Sequence, residues 1–259
     1  MGRKKVALVL SGGASLGYAH IGVLKVLQKY NIPIDIVVGT SMGALVGAAY
    51  CAGIDLHEME LYARRFRLIH FIDLNFDRSG LFSGKGIMKK LQKYLPNVNI
   101  ESLDKSFACV AADLVTEKQV VMRTGNLRDA VRASMSIPGV FVPCCRDGMV
   151  LVDGGIINNL PEDVAVEMGA EVIISSDVLS KCRVHDSPKD LLETFLFSIN
   201  LSTKEIQKVK AQHSDILLQP NTDECIQIDF SLKTTKKIIK EGELEAEKHI
   251  EEIIKLLKE

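Results

Sequence analysis

The segment that most constrains this chain is IDIVVGTSMGALVGAAYCAGI, which begins at residue 34. A short apolar run rich in β-branched residues meets the pentapeptide GTSMG at 39–43, and small apolar residues follow. The first run is typical of a buried strand, and the small-residue run is typical of a closely packed helix. One serine, Ser41, therefore lies between two glycines at a predicted strand-to-helix turn.

A Gly-x-Ser-x-Gly pattern at such a turn is typical of a nucleophile elbow. The sharp turn strains the backbone of the middle residue and exposes its hydroxyl, here that of Ser41. Gly39 and Gly43 would be required because a Cβ at either position would collide with a neighbouring strand or helix. The alternative is an ordinary glycine-rich turn in which Ser41 only caps the following helix.

No charged residue occurs from Ile36 to Ile54, and a stretch of that length could also span a membrane. Its four glycines, Thr40 and Ser41 favour a buried strand, a tight turn and a buried helix instead.

Predicted strands alternate with predicted helices along the chain, which favours a parallel sheet covered on both faces. Neither a repeat nor a linker is evident, so residues 1–259 are predicted to form a single domain. The predicted strands are 5–10, 35–38, 107–114, 119–123, 149–152, 172–176 and 215–219. The predicted helices are 17–30, 42–52, 56–66, 85–95, 127–134, 161–168, 191–208 and 231–257.

Charge and cysteine usage exclude several classes of function. The net charge is −1 and the basic residues are scattered, so no nucleic acid partner is expected. None of the six cysteines forms a C-x-x-C pair, which argues against a zinc site. In a chain of 259 residues they indicate reduced thiols, and we expect a cytoplasmic protein.

A glycine-rich loop, SGGASLG at 11–17, directly follows the first predicted strand. Such a loop brings backbone N–H groups close to a negative oxygen, either of a phosphate or of an acyl-transfer intermediate. The spacing of Gly12, Gly13 and Gly17 fits neither the dinucleotide fingerprint nor a P-loop. An oxyanion fits better, because a serine after the next parallel strand would lie at the same edge of the sheet.

Asp153-Gly154-Gly155 follows another predicted strand and would point a carboxylate toward the same crevice. A serine nucleophile needs a base, which is usually a histidine. His185 is the best placed of the six histidines for that role. The alternatives are that Asp153 acts on Ser41 directly, or that Asp153 belongs only to an Asp-Gly turn.

Together these segments resemble the patatin-like phospholipase family of acyl-lipid hydrolases, and the resemblance covers most of the chain. Its motifs are GGASLGYAHIGVL at 12–24, the elbow at 39–43, ASMSIPGVFVP at 133–143, DGG at 153–155 and NNLP at 158–161. Together, these ordered motifs at family-like spacing are far more specific than any one of them. The resemblance implies an α/β fold of three layers, α/β/α, with a mainly parallel central sheet.

The resemblance also implies a catalytic Ser–Asp dyad that needs no histidine, metal or cofactor. Ser41 would be the nucleophile and Asp153 the proton acceptor. Gly12, Gly13 and Ala14 would form the oxyanion hole.

Further glycines, at Gly17, Gly154 and Gly155, would support the site, and His20 would support the glycine loop. This chain departs from the family pattern at Leu16, where family members often carry Arg or Lys. It also has Met42 where a small residue is common, so the pocket near the nucleophile is expected to differ in shape.

The predicted function is hydrolysis of a lipid or other carboxylic ester, and the alternative is a non-catalytic module that binds an acyl or phosphate group. The apolar segment Arg67–Phe82 would form either a flap over the acyl pocket or part of the core. Ser231–Glu259 is predicted to form mainly a covering helix, and the alternative is a dimer or membrane-surface contact. A transient contact with a membrane surface fits a lipid substrate, and the oligomeric state is left open.

Overall fold

The computed structural model describes residues 3–66, 80–183, 187–210 and 212–258. The strands are β1 (Val6–Leu10), β2 (Ile36–Thr40), β3 (Ser106–Asp113), β4 (Lys118–Met122), β5 (Cys144–Arg146), β6 (Met149–Asp153), β7 (Val172–Ser176) and β8 (Ile216–Leu218). The helices are α1 (Ala19–Lys29), α2 (Met42–Cys51), α3 (Leu56–Arg65), α4 (Lys85–Tyr94), α5 (Leu127–Ser134), α6 (Glu162–Glu167), α7 (Leu191–Val209) and α8 (Leu232–Leu256).

The described strands form one sheet in the order β5-β6-β3-β2-β1-β7-β8, with β4 paired to β3. The five strands from β3 to β8 along this order are parallel, whereas β4, β5 and β6 run antiparallel to their neighbours. The prediction of an α/β fold with a mainly parallel sheet is therefore confirmed.

Helices cover both faces of this sheet because the residues of β1 alternate between two apolar clusters. Leu8 and Leu10 face the larger cluster, which includes side chains of α1, α2, α3, α4, α5 and α8. Ala7 and Val9 face a smaller cluster that includes Val164 of α6. The result is a three-layer arrangement with one thick helical layer and one thin one.

The last helix, α8, packs along α1 at very short range. A Cβ on Gly22 would lie 2.0 Å from the Ile239 carbonyl oxygen, and a Cβ on Gly242 would lie 2.0 Å from that of Ala19. Glycine is thus required on both helices where their backbones touch. Ile250 and Ile253 are buried in the same layer, so the prediction of a covering helix is confirmed.

The uncharged segment from Ile36 to Ile54 contains β2, the elbow and α2, as predicted. In the described ranges, no helix combines the length and apolar character that crossing a membrane requires.

One strand was not predicted, namely β5, which forms a hairpin with β6. It has only three residues and is partly exposed, so it carries no apolar pattern. The sequence feature that indicates this hairpin is its turn, where Asp147 and Gly148 have φ values of 50° and 79°. An Asp-Gly pair with positive φ at both residues is typical of a tight two-residue hairpin.

Candidate active site

The elbow adopts the strained geometry that its sequence predicts. Ser41 has φ 54° and ψ −120°, a left-handed φ that is rare for a residue with a side chain. A Cβ on Gly39 would lie 2.5 Å from the Gly43 carbonyl carbon, and a Cβ on Gly43 would lie 2.3 Å from the Leu10 carbonyl oxygen. Both glycines are therefore required to bring β1, β2 and α2 together around the serine.

Strand β3 brings the serine and the aspartate together. Its residues up to Val110 pair with β2, and Thr40 lies opposite Val110. From Ala111 onward the same edge of β3 pairs with β6, which runs in the opposite direction and ends with Asp153 opposite Ala111. Strand β4 occupies the other edge of β3 along this stretch. The last residues of β2 and β6 therefore meet end to end.

At this junction the Ser41 hydroxyl donates a hydrogen bond to Asp153 Oδ2, with an O···O distance of 2.5 Å. The other carboxylate oxygen, Oδ1, accepts a hydrogen bond of 2.8 Å from the Gly155 N–H. Ser41 and Asp153 are 7% and 5% exposed. The carboxylate is thus oriented on one side by backbone and directed on the other at the serine.

Burial raises the pKa of Asp153 to about 6, even though the hydrogen bonds from Ser41 and Gly155 favour the charged form. The loss of water around the carboxylate therefore outweighs two hydrogen bonds. A carboxylate with a pKa near 6 is a stronger base than an ordinary aspartate and is still mostly ionised at neutral pH.

Ser134, the last residue of α5, supports the strained elbow from below. Its hydroxyl accepts a 2.9 Å hydrogen bond from the Ser41 N–H and donates a 2.7 Å hydrogen bond to the Val110 carbonyl oxygen. Ser134 is fully buried. Ser134 belongs to the motif at 133–143, but its role could not be predicted because the contact depends on how α5 packs against β3.

We expect Ser134→Ala to lower kcat about tenfold, because the Ser41 N–H would lose its partner and the hydroxyl of Ser41 would be less well positioned. An unpaired buried N–H would also cost about 1–3 kcal/mol of stability. Ester hydrolysis and urea denaturation of the purified variant measure both effects. Ser102→Ala, at an exposed serine, is the matched control, and an unchanged kcat in Ser134→Ala would argue against this support.

The glycine loop lies against the same junction. The Gly12 N–H donates a 3.2 Å hydrogen bond to the Asn159 carbonyl oxygen, and a Cβ on Gly12 would lie 3.1 Å from Cβ of Ser41. Gly12, Gly13 and Ala14, the three residues predicted for the oxyanion hole, all line the cavity in front of Ser41. A Cβ on Gly17 would lie 2.4 Å from Cγ of Met42, so Gly17 makes room for that side chain.

His20 is buried beneath the loop, away from the serine. Its Nε2 lies 2.9 Å from the Ser11 carbonyl oxygen, and its Nδ1 lies 2.9 Å from the Ser176 hydroxyl. Burial lowers the pKa of His20 to about 4, so the ring is neutral at neutral pH. A neutral ring donates from Nε2 and accepts at Nδ1, which satisfies both contacts. His20 thus supports the glycine loop, as expected.

A cavity of about 340 Å³ opens in front of Ser41 and Asp153. Most of its lining is apolar, and α7 covers one side through Leu196 and Ile199. Thr203 ties α7 to the loop after Asp153 by donating a 3.0 Å hydrogen bond to the Gly155 carbonyl oxygen. The polar lining residues include Asn159, Asn200 and Gln227. The arrangement places a serine hydroxyl and a buried carboxylate in the wall of a largely apolar cavity.

Most of the residues predicted for the site come together here, but two predictions fall outside the described residues. His185 is one, and most of the apolar segment, at 67–79, is the other. Of that segment, Phe82 lines the cavity and forms a β-bridge with Phe141. Within the described part of the chain, no three His, Cys, Asp or Glu side chains cluster closely enough to hold a metal ion.

Comparison with protein families matches residues 8–166 to the family described as patatin-like phospholipase. Among curated proteins, the chain is 36% identical over 184 residues to patatin-like phospholipase domain-containing protein 6 of Mus musculus. It has the same identity over the same length to neuropathy target esterase sws of Drosophila melanogaster. The matched region is 68% of this chain but only 13–14% of those relatives.

Two solved structures have a similar fold. One is VipD from Legionella pneumophila, with a TM-score of 0.68 and 14% identity over 97% of this chain and 67% of that chain. The other is the type III effector protein ExoU, with a TM-score of 0.51 and 11% identity over 97% of this chain and 53% of that chain. At these identities the likeness concerns the fold alone.

Proposed function

The chain belongs to the patatin-like phospholipase family, and on that basis we propose that it hydrolyses carboxylic esters of lipids through a Ser41–Asp153 dyad. The observation that carries this proposal is the 2.5 Å hydrogen bond from the Ser41 hydroxyl to a buried carboxylate. It lies at the end of a largely apolar cavity, which suits an acyl chain.

In the first step, Asp153 accepts the Ser41 proton while Oγ attacks the acyl carbonyl carbon. The carbonyl π bond opens and its electron pair moves to the oxygen, which becomes an oxyanion. When the tetrahedral intermediate collapses, Asp153 passes this proton to the departing alcohol. An acyl-serine ester remains on Ser41.

Backbone N–H groups of the glycine loop would stabilise that oxyanion, a contribution typically worth several kcal/mol. Gly12, Gly13 and Ala14 all line the cavity, but the Gly12 N–H is already donated to the Asn159 carbonyl oxygen. We therefore assign the donors to Gly13 and Ala14, and Gly12 to the shape of the loop. The N–H of Ser41 is likewise held by Ser134.

In the second step, Asp153 accepts a proton from water as the water oxygen attacks the acyl-serine carbonyl. Collapse of this second intermediate releases the carboxylic acid and returns the proton to Ser41 Oγ. One carboxylate serves both steps because the incoming water takes the place that the departing alcohol has left.

The alternative is a module that binds an acyl or phosphate group without turnover, and a fluorophosphonate probe distinguishes the two functions. The probe reacts only with an activated hydroxyl, so we expect rapid labelling and mass spectrometry that assigns the adduct to Ser41. Hydrolysis of p-nitrophenyl butyrate should be lost in proportion to labelling. An unlabelled, inactive protein in the presence of a lipid interface would favour the binding module.

The activity should depend on pH through Asp153. Since the base must be ionised and burial raises its pKa to about 6, kcat/KM should fall about tenfold per pH unit below pH 6 and level off above it. Steady-state assays between pH 5 and 8 measure this profile. A midpoint at or above pH 7 would indicate another base.

Helix α7 carries a row of exposed apolar side chains that could contact a lipid surface. Leu191, Phe195, Ile206 and Val209 fall within about 60° of one another around this helix and are all exposed, the first and last at 85%. This stripe borders the helix face that lines the cavity. We therefore propose that the stripe contacts the lipid surface while substrate enters.

We expect the double variant Leu191→Lys/Val209→Lys to bind phosphatidylcholine vesicles at least fivefold more weakly in a flotation assay, since it removes apolar contact area. Hydrolysis of a water-soluble ester should change much less. Leu244→Lys, which alters an exposed leucine of α8, is the matched control. Equal vesicle binding by the double variant and wild type would contradict the proposed surface.

A further inference from the structure

A second cavity adjoins the one in front of Ser41. It has a volume of about 80 Å³ and is lined by side chains of α1, α2, α3 and α4. Among the described residues that line it, all but three tyrosines and one lysine are apolar. Pockets lined mainly by apolar side chains suit apolar ligands.

The two cavities share one wall. Of the residues that the structure describes, four line both cavities: Met42, Phe66, Ile87 and Met135. Met42 immediately follows the nucleophile, and it is 4% exposed. The second cavity therefore adjoins the first along the wall that contains Met42.

Two of these four residues are methionines, whose unbranched side chains have three rotatable bonds and yield more readily than branched ones. Met42 also has little freedom to move toward the glycine loop, since its Cβ and Cγ occupy the space that a Cβ on Gly17 would need. A rotation of its thioether end would instead open the wall between the cavities.

We propose that the second cavity holds the methyl end of a long, unbranched acyl chain, and that Met42 is the specificity-determining residue that sets how far the chain reaches. This inference rests on the proposed ester hydrolysis, because it places the acyl carbonyl at Ser41. A short acyl group fills only the first cavity. A long one passes Met42 and ends between α2, α3 and α4, where Ala63 and Leu91 line the chamber.

The test is to fill the second cavity from its far side and to measure activity on esters of different chain length. Ala63 is buried on α3 and lines that cavity but not the one in front of Ser41. We expect Ala63→Leu to lower the ratio of kcat/KM for p-nitrophenyl palmitate to that for the butyrate at least tenfold. Met42→Leu, a stiffer side chain of similar volume, should lower the same ratio, and Met42→Ala should raise it.

Ala170→Leu is the matched control, because it adds the same bulk beside the apolar cluster on the other face of the sheet. Its palmitate-to-butyrate ratio should equal that of wild type. An unchanged ratio in Ala63→Leu, or an equal loss on every ester, would overturn the proposal. If Ala63→Leu does not fold, Leu91→Ala enlarges the same cavity and should raise the ratio for chains longer than palmitate.

Binding without turnover separates this inference from the proposed function. In the Ser41→Ala background, displacement of a fluorescent fatty acid should show that palmitate binds at least tenfold more tightly than octanoate. Adding Ala63→Leu should remove that difference. If the difference persists, the second cavity does not hold the chain. Suppose that wild type hydrolyses no ester but that Ala63→Leu removes the preference for palmitate. The second cavity then does hold the acyl chain, and the proposed ester hydrolysis is contradicted.

Discussion

Replacing Asp153 with Asn should abolish ester hydrolysis and at the same time stabilise the fold above pH 6. An amide cannot accept the Ser41 proton, and loss of a general base in such a site typically costs about 10²–10⁴ in rate. The amide has nearly the shape of the carboxyl group, so it should still accept the Gly155 N–H. Initial rates with p-nitrophenyl butyrate measure the loss.

The stability gain follows from the raised pKa. Burial raises the pKa of Asp153 from 3.8 to about 6 in the folded protein. The stabilisation contributed by the neutral form is therefore complete below about pH 4 and is lost as the pH rises through 6. Asn cannot ionise, so Asp153→Asn should be more stable than wild type by roughly 2–3 kcal/mol at pH 8. The difference should shrink toward zero at pH 4 in urea denaturation.

Two controls make this result specific. Asp177 is also buried with a raised pKa, but it is hydrogen-bonded to Gln207 rather than to the serine. Asp177→Asn should therefore gain stability and keep its activity. His185→Ala should remain active. If His185→Ala were folded but as inactive as Asp153→Asn, the enzyme would use a histidine base.

Ser41→Ala should reduce hydrolysis by about 10⁴-fold or more, because no covalent intermediate can form. The fold should survive, since Ala differs from Ser only by the hydroxyl and the strained backbone is held by Ser134 and the elbow glycines. Loss of that hydroxyl also removes a hydrogen bond that favours the charged carboxylate, so the pKa of Asp153 should rise. Fluorophosphonate labelling should disappear with activity.

The double variant Ser41→Ala/Asp153→Asn tests whether the two residues act as one unit. Residues that act as a unit show strongly non-additive effects. We expect the double variant to be no slower than Ser41→Ala alone. A further loss in the double variant would mean that Asp153 has a role independent of the serine.

Much of the site could be predicted because local spacing determines it. The apolar run before Gly39 and the small residues after Gly43 already require a strand, a tight turn and a buried helix. The Gly-x-Ser-x-Gly pattern predicts that a Cβ at Gly39 or Gly43 would collide with a neighbouring strand or helix, and the structure shows these collisions. The Asp-Gly-Gly motif similarly indicated a carboxylate at a strand end.

The direction of β6 could not be predicted, because an apolar strand of five residues carries no signal of parallel or antiparallel pairing. Asp153 reaches Ser41 only because β6 approaches β2 end to end along β3. The role of Ser134 depends on the same packing, which brings α5 under the elbow. The wall between the two cavities combines residues from α2, α4 and the positions directly after α3 and α5, and no local pattern relates them.

The pairing of α1 with α8 has a consequence for synthesis on the ribosome. The apolar face of α1 emerges early, but its partner helix lies more than 200 residues later in the chain. At about 5–20 residues per second, that face waits on the order of 10–50 s for its cover. During this interval the nascent chain exposes the glycine-flanked surface that α8 will bury, which is the kind of surface that chaperones bind. Folding of this protein is therefore expected to finish only after translation has passed α8.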